Sequence, residues 1–121
     1  MILHSYLIAF PKVLSVTDQC SLLVVQTNSL PGRDREFNQW YNEVHIPEVL
    51  ALDGFRDCRR FSLSQAQMTD NLPQKYFTLY EISGDPQEAL NMLNAAFETM
   101  TVSEAFDEST AEFFVVDSIA Y

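Results

Sequence analysis

The hydrophobic and polar positions of the chain change their period several times, and these changes predict its secondary-structure elements. Four segments are rich in β-branched and aromatic residues and are bounded by turn signals, which is typical of strands. The four predicted strands cover residues 20–27, 55–63, 75–83 and 112–121. Two further segments carry apolar residues at helical spacing, one between the first two strands and one between the last two. The predicted order of elements is therefore β-α-β-β-α-β.

The first predicted helix follows Asp34, which we expect to be its N-cap residue. Its apolar stripe, at positions i, i+3, i+4 and i+7, consists of Phe37, Trp40, Tyr41 and Val44. Pro47 disfavours helical geometry at Ile46, so the helix is predicted to end or kink just after His45. Two aromatic rings and an imidazole thus lie close together near the predicted end of this helix.

The second predicted helix begins with a strong start signal. Asp85 is placed to cap it, Pro86 occupies the first helical position, and Glu88 completes an arrangement similar to a capping box. Its apolar stripe consists of Ala89, Leu93, Ala96, Phe97 and Met100. The segment SEAFDEST, which follows, is predicted to form one more short helical turn.

This order of elements is that of a ferredoxin-like α+β domain, in which two helices cover one face of a four-stranded antiparallel sheet. The first and third strands are then central, and the second lies at an edge. Both faces of the strands are apolar, since Leu22 and Val24 alternate with Leu23 and Val25. Because the second face has no helix to cover it, a second copy of the chain is predicted to pack there as a homodimer.

Composition and charge limit the partners that the protein can have. A chain of 121 residues predicts one globular domain. A net charge of −10 and a pI near 4.3 repel phosphate backbones and anionic lipid, so neither nucleic acid nor a membrane is predicted as a partner. No apolar run approaches the ~20 residues of a membrane span.

The two cysteines of the chain, Cys20 and Cys58, suit a reduced cytoplasmic protein better than a disulfide scaffold.

Residues 1–19 precede the domain predicted for residues 20–121. They contain the strand-like segment HSYLIAF, but no basic residue stands before the apolar stretch and no small-residue cleavage site follows it. We expect this extension to be an extra edge strand, an arm onto a partner or a poorly ordered segment.

His45 is the first candidate for chemistry. It lies at the flank of the apolar stripe, where an imidazole could act as a general base or acid near neutral pH. The alternative is a histidine that closes the helix end through a hydrogen bond. Trp40 and Tyr41 could line an apolar pocket for a ligand that carries a ring, or they could simply pack the helix onto its sheet.

Two tyrosines and an arginine on the strands are the other candidates. Tyr76 and Tyr80 share one strand face, where a pair of phenols could stabilise an enolate, or could lie in a dimer interface. In the second strand, alternation places Phe55, Asp57 and Arg59 on one face and Arg60 on the other. Arg60 could hold a carboxylate or phenolate through its planar fork, and an inter-subunit salt bridge is the alternative.

No bound cofactor or metal is predicted. The chain contains neither Cys-x-x-Cys nor His-x-x-x-His, and with three glycines it has no glycine-rich phosphate loop. Haem ligation by His45 is conceivable, but the aromatic crowding beside it argues against that role.

The segment FNQWYNEVHIPEVLALDGF, followed by RRF, resembles the EthD-like branch of the dimeric α+β barrel superfamily. The resemblance covers about residues 20–121 and rests on an aromatic pair, a His and a Pro two residues apart, and Gly-Phe before a strand that carries Arg. It implies a ferredoxin-like homodimer with a small-molecule pocket between sheet and helices. The residues that match are Trp40, Tyr41, His45, Pro47, Gly54, Phe55 and Arg60.

Taken with this resemblance, the residues predict a cofactor-independent enzyme that acts on a small aromatic or polyketide-like carbonyl compound. The reaction would be a cyclisation, dehydration or isomerisation driven by proton transfer. The predicted catalytic residues are His45, Tyr41 and Tyr80, and the predicted substrate-binding residues are Trp40, Arg60 and Tyr76. The alternatives are a cofactor-free monooxygenase of a phenolic substrate and a non-catalytic dimer that binds a small molecule.

Overall fold

Four strands and two helical regions form the part of the chain that the computed structural model describes, residues 19–119. The predicted extension, residues 1–19, lies outside this part except for Gln19, and so do the last two residues of the fourth predicted strand. The elements, in chain order, are β1 Ser21–Thr27, α1 Asp34–Trp40, a π-helical turn Tyr41–His45, α2 Ile46–Leu50, β2 Phe55–Ser62, β3 Tyr76–Ile82, α3 Pro86–Phe97, a 3₁₀ turn Glu108–Thr110 and β4 Glu112–Asp117.

The four strands form one antiparallel sheet in the order β2-β3-β1-β4. The first and third strands are therefore central and the second lies at an edge, as predicted for a ferredoxin-like domain. Buried and partly buried positions alternate strictly along β3, because one of its faces packs against the helices. Tyr76, Thr78 and Tyr80 are all buried on that face, so the two tyrosines share a face as predicted.

A β-bulge changes the predicted faces of β2. Phe55 pairs with Ile82, whereas Asp57 pairs with Glu81, so the register shifts between them. Phe55 is consequently buried on the helix-facing side, and the prediction that it shares a face with Asp57 is wrong. Arg59 and Arg60 do alternate, with Arg59 opposite Leu79 and Arg60 opposite Thr78.

The first helical region differs from its prediction at both ends. Helix α1 begins at Asp34, and the preceding residue, Arg33, takes the N-cap position without a side-chain bond, so Asp34 is not the N-cap. The chain also does not leave helical geometry after His45, because Ile46 has φ −58° and ψ −47°. Pro47 instead occupies the first turn of α2, where a missing N–H is tolerated best, and a π-helical turn precedes it.

Helix α3 begins as predicted. Asp85 is its N-cap and accepts a hydrogen bond from the Glu88 backbone N–H at 2.9 Å, with Pro86 at the first position. The helix lies very close to the chain before β2, because a Cβ placed on Gly54 would come within 2.8 Å of the Ala89 Cβ. Glycine at position 54 and alanine at position 89 together permit this approach.

Two apolar clusters fill the space between sheet and helices. The larger consists of Leu23, Val25, Val49, Phe55, Tyr80, Ile82, Ala89 and Leu93. The smaller is mainly aromatic and consists of Phe37, Trp40, Tyr41, Tyr76 and Ala105. The three aromatic residues of the predicted stripe therefore pack on the sheet as expected. The fourth member, Val44, is 37% exposed, so its predicted place in the stripe is wrong: the π-helical turn buries His45 instead.

The opposite face of the sheet is apolar and uncovered within residues 19–119. Phe61, Phe114 and Val116 are 41%, 45% and 41% exposed, and Leu22 and Val24 lie between them, half-buried. Cys20 and Cys58, which lie on or next to strands of this sheet, are both free thiols.

None of the helices between residues 19 and 119 is long and apolar enough to cross a membrane.

Candidate functional site

A cavity of about 310 Å³ lies where the helix-facing side of the sheet meets the helical region. Its walls come from β1, β4, the first helical region, the end of α3 and the segment between α3 and β4. The side chains that give it its character are Trp40, Tyr41, His45, Phe97, Phe106 and Glu108. Most of the lining is apolar, and polar groups come from few residues, which is the usual make-up of a small-molecule site.

Four nearly parallel rings form one wall of this cavity. The Trp40 ring stacks on the His45 imidazole with ring centroids 4.9 Å apart, and on Phe106 at 5.9 Å. On its other side, the imidazole faces Phe97 at 6.3 Å with an interplanar angle of 8°. The order Phe106–Trp40–His45–Phe97 is a column of stacked rings with an imidazole inside it.

The π-helical turn is what brings Trp40 and His45 together. In an α-helix, residues five apart point in directions roughly 140° apart and do not stack. Here the Ile46 N–H donates to the Tyr41 carbonyl, five residues back, so this turn is wider than an α-helical one. The indole is held from its other end, since Trp40 Nε1 donates to the Thr101 carbonyl at 2.8 Å.

His45 is a buried, neutral imidazole. It is 8% exposed, and its Nδ1 is enclosed without a hydrogen-bond partner among residues 19–119. Burial and, as the smaller cause, the positive charge of Arg60 together lower the pKa of His45 from 6.5 to about 4. At neutral pH the ring is therefore uncharged and can accept a proton.

Tyr41 connects the cavity to a second phenol behind it. Tyr41 lines the cavity, and the hydroxyls of Tyr80 and Tyr41 are 3.5 Å apart, with Tyr80 as donor. Burial raises the pKa of both phenols, so both remain protonated donors at neutral pH. Tyr80 is 1% exposed and does not line the cavity.

Arg60 lies beside the same tyrosine but outside the cavity. Its guanidinium carbon is 4.2 Å from the centre of the Tyr41 ring, and its Nη1 donates to Asn42 Oδ1 at 3.1 Å. Burial lowers the pKa of Arg60. Arg60 lines a separate groove together with Tyr76, and this groove shares no lining residue with the cavity.

The Tyr76 hydroxyl is already engaged. It donates to Asp34 Oδ2 at 2.6 Å, and Lys75 Nζ donates to the same oxygen at 2.8 Å. The hydrogen bonds from Lys75 and Tyr76 lower the pKa of Asp34 to about 2. Asp34 therefore ties the start of α1 to the start of β3 instead of capping its own helix.

The structure thus divides the candidate residues that the sequence indicated. Trp40, Tyr41 and His45 meet at the cavity, whereas Arg60 and Tyr76 meet at the groove, and Tyr80 is buried behind Tyr41. Of the six side chains that give the cavity its character, three were not among the candidates, namely Phe97, Phe106 and Glu108. Phe97 is visible in the predicted stripe of the second helix, but the segment that carries the other two has no period that would indicate a site.

Residues 19–119 contain no group of three or more His, Cys, Asp or Glu side chains placed to hold a metal ion.

Comparison with known proteins identifies the fold and leaves the reaction open. No protein-family model matches the sequence, and no curated protein matches it. Among solved structures, an ethyl tert-butyl ether D (EthD) family protein from Bacillus halodurans C-125 matches with a TM-score of 0.57 at 12% identity, over 83% of this chain and 99% of that one. HapK from Hahella chejuensis matches with a TM-score of 0.45 at 14% identity, over 85% and 92%. The predicted resemblance is confirmed at the level of the fold: the chain has the ferredoxin-like α+β fold of this EthD family protein.

Proposed function

We propose that the cavity binds a small aromatic carbonyl compound and that His45 moves a proton on it. The observation that carries this proposal is the neutral His45 imidazole, held between two rings in the wall of the cavity. A cavity of this size lies at the lower end of the range for small-molecule sites, which suits a compound of one or two rings.

The substrate class follows from the walls. The largely apolar and aromatic lining favours a largely apolar ligand that carries a ring, because such a ligand leaves few polar groups unpaired. The polar side chains at the cavity are few, and besides His45 and Tyr41 they include Thr27 and Glu108. A carbonyl oxygen and one acidic C–H are the functional groups that these side chains suit.

Proton transfer at His45 is the reaction that the arrangement of His45, Tyr41 and Tyr80 supports. A neutral imidazole can take a proton from the carbon next to the carbonyl, which leaves an enolate. Tyr41 remains protonated and can donate to the enolate oxygen, while Tyr80 donates to Tyr41 from behind. Return of the proton to another atom would complete an isomerisation, and loss of a leaving group or attack by the enolate would give a dehydration or a cyclisation.

The second function is binding without conversion, and one observation favours it. With a pKa of about 4, His45 is a weak base, and general-base efficiency falls when the pKa lies far below the working pH. A binding protein would use the same aromatic wall and would leave the ligand unchanged. A cofactor-free monooxygenase remains a prediction from the sequence, and oxygen consumption with a phenolic substrate would reveal it.

The apolar outer face of the sheet supports a homodimer. Phe61, Phe114 and Val116 are too large and too exposed for a face that meets only water, and a second copy of the same face would cover them. In this arrangement each copy keeps its own cavity, because the cavity lies on the helix-facing side of the sheet.

Solvent-deuterium exchange tests the proposal without knowledge of the natural product. The protein is incubated with 1-tetralone or acetophenone in D₂O, and deuterium at the α-carbon is followed by NMR. We expect the wild-type protein to accelerate exchange, His45→Gln to lose the acceleration, and Glu108→Gln to keep it. Exchange that survives in His45→Gln but not in Glu108→Gln would assign the base to Glu108 and contradict the proposal. Tight binding of the ketone without exchange would favour the binding protein.

A further inference from the structure

Arg60 is a half-buried cation that residues 19–119 do not pair with a carboxylate. The ion pairs of the described chain engage other cations: Arg33 with Glu36, Arg56 with Glu81, and Lys75 with Asp34. This is unexpected in a chain with 17 acidic and seven basic residues, since carboxylates are in excess. A cation removed from water normally acquires a partner, because its desolvation is otherwise costly.

Most of the hydrogen-bonding capacity of this guanidinium is unused. Nη1 donates to Asn42 Oδ1, whereas Nε and Nη2 are enclosed and have no partner among residues 19–119. These two nitrogens form one edge of the guanidinium, the edge that binds a carboxylate through two parallel hydrogen bonds. An acceptor for that edge is missing from the described chain.

Aromatic rings hold the guanidinium in place without supplying this acceptor. The guanidinium carbon of Arg60 is 4.2 Å from the centre of the Tyr41 ring, 5.6 Å from that of Tyr76 and 5.8 Å from that of Phe37. Ring faces attract the charge, but they leave the in-plane N–H groups unsatisfied. The arrangement positions a planar cation and leaves one edge of it without an acceptor.

Arg60 also lines the groove of about 480 Å³ that is separate from the His45 cavity. Asn38 lines the same groove, and its side-chain oxygen is likewise buried without a partner among residues 19–119. The amide can turn its NH₂ toward an anion, since its two ends are nearly equal in shape. Phe61 and Leu63 add apolar surface. The groove therefore combines an unpaired cation, an unpaired amide and apolar walls.

We propose that this groove binds the carboxylate of a small aromatic or apolar acid, with the guanidinium of Arg60 as its main contact. The proposal stands apart from proton transfer at His45, because the groove and the cavity share no lining residue. A carboxylate fits better than a phosphate. A carboxylate is planar and carries one negative charge, which matches the planar guanidinium and its one positive charge. The other cation of the groove, Lys75, is already neutralised by Asp34, so no second positive charge remains for a phosphate.

Entry of the anion requires a local rearrangement. Nε and Nη2 are covered in this state, so the Arg60 side chain must rotate to turn its free edge into the groove that it lines. Side-chain rotations of this kind are common on binding. The hydrogen bond to Asn42, which is exposed, is the contact that such a rotation would exchange for the carboxylate.

Calorimetric titration with sodium benzoate at low ionic strength tests the proposal. Arg59 supplies a matched control, because it lies on the same strand, faces the opposite side of the sheet and also contacts a ring, that of Phe61 at 5.2 Å. We expect the wild-type protein and Arg59→Gln to bind benzoate with the same affinity, and Arg60→Gln to bind about tenfold or more weakly. Arg60→Lys, which keeps the charge without the fork, is expected to lose much of the affinity as well.

Three further titrations separate the alternatives. Benzyl alcohol, which has the ring without the charge, is expected to bind equally weakly to the wild-type protein and Arg60→Gln. Inorganic phosphate that binds as tightly as benzoate would show a general charge effect and overturn the proposal, as would benzoate binding that is unchanged in Arg60→Gln or fully retained in Arg60→Lys. His45→Gln is expected to keep benzoate affinity, so failure of the proposed proton transfer and failure of this site give different results.

Discussion

The imidazole of His45 and the indole of Trp40 stack with their ring centroids 4.9 Å apart, although five residues separate them in the sequence. The stack exists because a π-helical turn joins α1 to α2, and it removes the imidazole from water on one side while Phe97 does so on the other. A local change in helical winding thus sets both the position of the candidate base and its protonation state.

Stability should therefore depend on pH through His45. Its pKa is about 4 in the folded protein and 6.5 in the unfolded chain, so the unfolded chain binds more protons between these values. The contribution to the free energy of unfolding is complete above pH 6.5 and is lost as pH falls toward 4. The loss amounts to about 3 kcal/mol for a shift from 6.5 to about 4.

Urea unfolding of the wild-type protein and of His45→Phe, at several pH values between 7.5 and 4, measures this loss. The phenyl ring keeps the stack and removes the titrating group, so we expect its curve to be flatter over this range. The pKa of Asp34 is also lowered, from 3.8 to about 2, so protonation of Asp34 changes the free energy of unfolding mainly below about pH 4, outside the range of this experiment. Parallel curves for the two proteins would show that His45 is not a buried neutral group.

The charge of Arg60 is expected to act on the imidazole as well. Removal of this charge in Arg60→Gln should raise the pKa of His45, but the pKa should stay below 6.5, because burial is the larger cause of its depression. NMR titration of the imidazole resonances measures the change, and Arg59→Gln on the opposite sheet face is the control. A pKa that does not move in Arg60→Gln would mean that the two groups are not electrostatically coupled.

The close approach of Gly54 to Ala89 predicts that a larger side chain at position 54 would disturb the packing. In Gly54→Ala, the new methyl group would lie 2.8 Å from the Ala89 Cβ and 2.9 Å from its Cα. We expect the free energy of unfolding to fall by about 1–3 kcal/mol, because the helix must move to make room. Thermal or urea unfolding checks this value. A variant as stable as the wild-type protein would show that the loop before β2 and helix α3 are not tightly packed.

The uncovered sheet face predicts a dimer. Light scattering after size exclusion should give about twice the chain mass of 13.9 kDa. A carboxylate within the contact would be desolvated without a partner, so Val116→Glu should shift the mass toward one chain. Gln39→Glu, on an exposed position of α1, adds the same charge and should leave the dimer intact. A wild-type monomer at working concentrations would refute the dimer.

Much of the fold could be predicted from the sequence, because apolar period and helix-start chemistry are local signals. The strand order, the start of α3 at Pro86 and the shared face of Tyr76 and Tyr80 all follow from them. Two local rules were less reliable. Of the two outcomes predicted at Pro47, the chain does not end its helix there: the winding changes from π-helical to α-helical after His45. The bulge after Phe55 turned that side chain inward, against the prediction.

The candidate site was predictable only in part, for a physical reason. Trp40, Tyr41 and His45 lie within six residues of one another, so their proximity is a property of one helix. Phe106 and Glu108 reach the cavity through long-range backbone contacts. The Leu30 N–H donates to the Ala105 carbonyl at 2.7 Å, and Ser29 forms an isolated bridge with Phe106. No spacing in the sequence indicates such contacts.

The most direct test of the account is an NMR titration of the His45 imidazole, followed with and without saturating 1-tetralone. The account predicts a pKa well below 6.5 in the free protein, and imidazole and Trp40 indole resonances that move when the ketone binds. A His45 pKa at or above 6.5, or ring resonances that the ketone leaves unchanged, would contradict a neutral imidazole in the wall of a ligand cavity.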